Sequence, residues 1–166
     1  MTSARSPWLR SAAAPLLAAT VIALAGCSGT GVDAQTNQQY QPGAGANLRT
    51  GEVQLYNALA VDNGDGTATL SAVIVNTSGR TQKLDAASAT TADGTSVESQ
   101  IGPAIVGPGD SFNTGPEATV VFRGDVTAGD YVTVTLAFNR AGDVTIDAPV
   151  VARTEMYSDV AETPGG

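Results

Sequence analysis

The chain has 166 residues, with eight Lys and Arg against sixteen Asp and Glu, no histidine and a single cysteine. A net charge of −8 excludes a basic footprint for nucleic acid and electrostatic adhesion to an anionic membrane surface. Without histidine there is no Ser-His-Asp triad and no imidazole metal site. One cysteine excludes an intramolecular disulfide, and the length fits one folded domain.

Residues 1–26 read as a secretion signal. Arg5 and Arg10 form a positive start, and Ala12 to Ala25 is a small, apolar run. Its length suits a signal peptide and falls short of the roughly 20 apolar residues a membrane-spanning helix needs. The run ends in Leu24-Ala25-Gly26-Cys27, which resembles the lipobox of bacterial lipoproteins. Small residues before the cut let an extended backbone enter a narrow peptidase site. The Cys27 thiol is the nucleophile able to take a diacylglycerol group through a thioether. The resemblance implies cleavage before Cys27, followed by S-diacylglycerol and N-acyl modification there. The bland alternative is an incidental thiol after an ordinary signal. Modification, however, removes the liability of a lone thiol in an oxidising compartment. Acyl chains contribute roughly 0.8 kcal/mol per buried methylene, so two or three hold firmly. The expected location is outside the cell, lipid-anchored to the outer face of the cell membrane. Loss of Arg5 and Arg10 leaves a still more acidic chain.

Residues 27–50 are polar, Gly- and Gln-rich and aperiodic, and read as the lipidated cysteine followed by a flexible tether. Residues 51–153 carry strand signals. Glu52 to Val61 and Thr67 to Asn76 flank the turn cluster Asp62-Asn63-Gly64-Asp65-Gly66 and predict a hairpin. Gln82 to Thr91 predicts a strand. Ile101 to Val106 predicts a weaker one, which Pro103 confines to an edge or loop. Ala118 to Phe122 predicts another. Tyr131 to Phe138 alternates throughout and turns at Asn139 to Asp143 into Val144 to Val151. About seven short strands with frequent turns predict an all-β, antiparallel β-sandwich. Residues 154–166 are polar and read as a disordered tail.

Several chemical readings compete with bland ones. Asp62 to Gly66 resembles a calcium loop, but an EF-type loop needs a bidentate carboxylate at its twelfth position, where Val73 stands. A hairpin turn explains the same residues. Asp143 and Asp147 share a strand face and read as solvated rather than as a glycosidase pair. Phe122 and Phe138 read as core, and Tyr131 as a strand-edge residue with an exposed hydroxyl.

The segments Gly107-Pro108-Gly109-Asp110, Ala118 to Asp125 and Gly129 to Val150 are similar to the C-terminal half of periplasmic copper chaperones of the PCu(A)C type. The shared features are Gly129-Asp130 before an alternating strand, a Phe138-x-x-Ala141-Gly142 turn, and a final Val-rich strand with Pro149 near its end. With the lipobox and Gln-rich tether, the whole chain resembles the actinobacterial LpqE-like lipoproteins. That resemblance implies an Ig- or cupredoxin-like sandwich. It also implies where copper ligands would fall: a His-x-Met pair at Thr119 and Val121, and an upstream pair near Thr95 to Gln100. Soft thioethers and imidazoles suit Cu(I), and none stands at these positions. Met156, in the polar tail, is the one methionine besides Met1.

The expected function is that of a non-enzymatic, lipid-anchored envelope protein that binds another envelope component, with no cofactor and no metal. The alternatives are a divergent copper metallochaperone and a carrier of a small apolar ligand between the sheets.

Overall fold

The computed structural model describes residues 44–163. Ten strands follow one another: β1 (Ala46–Leu48), β2 (Val53–Asp62), β3 (Thr67–Asn76), β4 (Gln82–Thr91), β5 (Ser96–Ile101), β6 (Ile105–Val106), β7 (Ser111–Asn113), β8 (Val120–Arg123), β9 (Tyr131–Phe138) and β10 (Gly142–Ala152). A 3₁₀ turn spans Glu155–Tyr157. The fold is all-β, as expected.

Neighbouring strands run β2-β10-β9-β4-β5-β8-β3, and β3 pairs back onto β2. The ring therefore closes, and closure removes the exposed edges an open sheet would present. Its pairings are antiparallel except one. β10 runs parallel to β2, with Val150, Val151 and Ala152 opposite Ala60, Val61 and Asp62. The seven-stranded expectation holds, and this parallel contact turns two layers into a closed barrel.

The two hairpins form where the turn residues place them. In the β2–β3 turn, Gly64 and Gly66 adopt φ of 79° and 81°, which side-chain-bearing residues resist. The Gly64 amide donates to the Asp62 carboxylate at 2.8 Å. In the β9–β10 turn, Gly142 has φ 76°, and the strands then stay in register from Gly142–Phe138 to Pro149–Tyr131. Val132, Val134, Leu136 and Phe138 face inward, opposite the run Val144, Ile146, Ala148 and Val150. Phe122, Leu55, Leu70, Ile74 and Leu136 are fully buried at the centre. Each such side chain contributes roughly 1.5–3 kcal/mol by leaving water.

Four local expectations differ from what forms. The strand around Pro103 divides. β5 ends at Ile101, and β6 pairs with β4 instead, because proline has no amide proton to continue a ladder. β8 begins at Val120 rather than Ala118, since Ala118 has φ 44° and closes a turn by donating to the Gly115 carbonyl. The expected tether extends into ordered chain at Ala46–Leu48, which pairs with β2. The register of β2 slips at Asn57, whose φ is 50°. The Asn57 carboxamide accepts from the Gly45 amide at 3.2 Å, and the Asn57 amide donates to Asn47 Oδ1 at 2.9 Å. The expected disordered tail also has a seat on the barrel up to Glu162, through buried Val160.

Candidate functional site

The lipobox residues Leu24, Ala25 and Gly26, and the acceptor Cys27, lie outside the described residues. The Asp62–Gly66 carboxylates are taken up by turn bonds. Asp65 accepts from the Thr67 hydroxyl at 2.6 Å and the Thr67 amide at 3.0 Å. Those bonds, the hydroxyl first, hold its carboxyl below the ordinary carboxylate range. Asp62 also reaches the Ala128 amide at 3.1 Å, so this cluster ties two loops together. Asp147 accepts from the Thr133 hydroxyl at 2.7 Å on the outer face. Phe122 and Phe138 are core, and Tyr131 is 59 % exposed. Among the described residues no three His, Cys, Asp or Glu side chains are grouped to hold a metal ion.

The two segments singled out by the resemblance do meet. β5 lies antiparallel to β8, with Gln100 opposite Val121 and Ile101 opposite Val120. Val120 and Phe122 belong to the barrel core. Strand alternation therefore puts Val121 on the opposite, outer face, and Thr119 stands just before the strand, its carbonyl accepting from the Gly102 amide at 2.7 Å. Both are buried, and among the described residues the Thr119 hydroxyl has no hydrogen-bond partner. Gln100 accepts from Arg123 at 3.2 Å. The seam thus presents hydroxyl, carboxamide and aliphatic groups.

No protein-family profile matches the chain, and no curated protein matches it. Solved PCuAC copper chaperone domains are its structural neighbours. A copper-bound PCuAC domain from PmoF2 superposes with a TM-score of 0.50 at 25% identity, covering 65% of this chain and 99% of that one. An apo PCuAC domain from PmoF1 gives 0.51 at 21% identity, covering 65% and 100%, and bears on the fold alone. The match thus takes in nearly the whole of each of those domains.

Two surface features remain. One end of the barrel carries an open groove of about 430 Å³ between the β4–β5 turn and the β8–β9 loop. Asp93, Asp125, Asp130 and Tyr131 line it. The Thr91 hydroxyl, and then the Thr95 amide, donate to the Asp93 carboxylate and lower its pKa. That is turn chemistry, and it gives the groove a negative rim.

The second feature lies on the outer face of β2 and β3. Leu59 and Val61 point away from the barrel core, yet they are 1 % and 0 % exposed. The chain beyond β10 covers them, with Val160 in one apolar cluster with the pair and Val151 and Tyr157 packed against that cluster. Sequence reading missed this contact. Its signal was the unbroken apolar run Ala58-Leu59-Ala60-Val61, since a strand apolar on both faces is covered on both.

Proposed function

We propose that the chain is a non-enzymatic, lipid-anchored envelope protein of the LpqE-like actinobacterial kind, whose chaperone-type barrel binds another envelope component. The observation that carries this reading is the β5–β8 seam. The positions where the resemblance puts copper ligands adjoin one another, but they hold Thr119, Val121 and Gln100 instead of soft donors. The sequence contains no histidine, and Met156 stands 78 % exposed on the tail turn. A retained scaffold without soft donors supports a binding role over metal delivery. The Leu24-Ala25-Gly26-Cys27 motif supports the anchor and the location on the outer face of the membrane.

A second reading, a divergent copper metallochaperone, draws on the copper-bound neighbour. A carrier of a small apolar ligand draws no support from the barrel interior, which Leu55, Leu70, Phe122 and Leu136 fill.

The binding role is tested by photo-crosslinkers placed at Tyr131 and at Met156 in the membrane-anchored chain. The same adduct should recur across independent preparations, and no reproducible adduct at either position contradicts the role. The anchor is tested with Cys27→Ser. The variant should keep the barrel's thermal midpoint and leave carbonate-washed membranes, whereas full retention there contradicts lipidation.

A further inference from the structure

The tail Arg153–Glu162 returns across the barrel after β10 and seats one residue, Ala161, in a built notch. The Ala161 amide donates to the Gly115 carbonyl at 3.0 Å, and the Ala161 carbonyl accepts from the Thr69 hydroxyl at 2.9 Å. Val160, 5 % exposed, fills the space above Leu59 and Val61. Gly115 permits that approach: a Cβ there would stand 3.3 Å from Val160 Cγ2 and 3.1 Å from Ser71 Oγ. Arg153 holds the segment from behind. It donates to the Val160 carbonyl at 2.8 Å and to Asn63 Oδ1 at 2.6 Å, and lies 3.4 Å from the Glu162 carboxylate.

Gly115, Thr69, Leu59 and Val61 of this seat belong to the barrel and Arg153 directly follows β10, whereas the tail beyond Arg153 is lightly attached. The 3₁₀ turn Glu155–Tyr157 buries no residue, and Val160 is the one buried side chain between Arg153 and Thr163. Segments with so few buried contacts open locally, far more often than the strands beneath them. An open groove of about 330 Å³ runs between the barrel and the tail, with Leu59, Ser71 and Asn113 on the barrel side and Met156, Tyr157 and Val160 on the tail side.

We propose that this notch is a peptide-binding site which the chain's own tail occupies as an autoinhibitory ligand. The tail defines what a partner must present. That is a turned segment with a small branched apolar side chain, then a small residue whose amide and carbonyl are both free, then a carboxylate for Arg153. Extended-peptide recognition uses the same division of labour, with main-chain bonds giving affinity and a side-chain pocket giving specificity. The proposal rests on the reading of the chain as a binding module and names the partner's chemistry.

The probe is a fluorescent peptide with the sequence of residues 157–163. It is titrated into the full-length chain and into Val160→Asp, whose tail cannot re-enter an apolar notch. The variant should bind at least ten-fold more tightly than the wild type, and a peptide carrying Asp in place of its Val should bind neither protein. Equal binding, or none to a folded variant, overturns the proposal. If the variant fails to fold, hydrogen exchange on the wild type decides. The Ala161 amide should exchange at least a hundred-fold faster than those of Val134 and Leu136, and equal rates overturn the proposal. A failed peptide titration beside a reproducible crosslinked adduct at Tyr131 would sink the notch and leave the binding role standing.

Discussion

Replacing Asn76 by aspartate changes one atom type at a fully buried junction. The Asn76 side-chain amide donates to the carbonyls of Arg80, Val106 and Gly107 at 2.7, 3.0 and 2.9 Å. Its oxygen accepts from the Ser78 amide and hydroxyl at 3.0 and 2.7 Å. These bonds fasten the end of β3 to both the β3–β4 turn and the β6–β7 turn. Asn76→Asp keeps the shape and the Ser78 bonds, but it removes two donor hydrogens and sets a carboxylate before three carbonyl oxygens. Each buried group left unpaired costs about 1–3 kcal/mol, so the loss is roughly 2–6 kcal/mol before charge repulsion. That is a large part of the 5–15 kcal/mol typical of a domain. Burial and the facing carbonyls raise the introduced carboxyl's folded pKa above its unfolded value, because the neutral acid regains one donor. The deficit relative to wild type is therefore smallest below the unfolded pKa, near 3.9. It grows as pH rises through the folded pKa. Urea unfolding of both proteins at pH 7 and near pH 4 measures this directly. A variant within about 0.5 kcal/mol of wild type at pH 7, well under the cost of one unpaired group, refutes the reasoning. So does a deficit that widens on acidification.

Phe122→Ala, at a side chain with 0 % exposure, should lose about 3–5 kcal/mol in the same assay; a loss under about 1 kcal/mol would mean that the barrel centre is not packed there. Asp93, with its pKa held below the ordinary 3.8, contributes stability that is fully present above that value and lost as pH falls through its folded pKa. Asp93→Asn should therefore flatten the acid side of the thermal-midpoint profile, and an unchanged slope there contradicts the turn-bond account.

The barrel's best-read parts are those in which sequence neighbours pair. Tyr131 to Phe138 and Val144 to Val151 announce both their alternation and their turn. The contact of Val151 with Val61 could not be read, because period-2 patterning shows which face of a strand is buried but not which distant strand lies beside it. β1 escaped because its three residues are held by the Asn57 bulge rather than by an apolar pattern of their own. The tail escaped because one valine in a polar stretch carries no periodicity. The β5–β8 seam became visible through resemblance alone. Thr119 and Val121 are unremarkable by composition, and their interest comes from what stands opposite them. Ala58 to Val61 was the one local sign that the outer face was covered.

The central claim is a copper-chaperone-type barrel whose β5–β8 seam has no soft donors. A Cu(I) titration against a competing chelator tests it most directly, on Cys27→Ser so that no free thiol takes the ion. The account predicts that the chelator keeps its copper at every protein concentration. Withdrawal of one equivalent into a tight protein complex would contradict it.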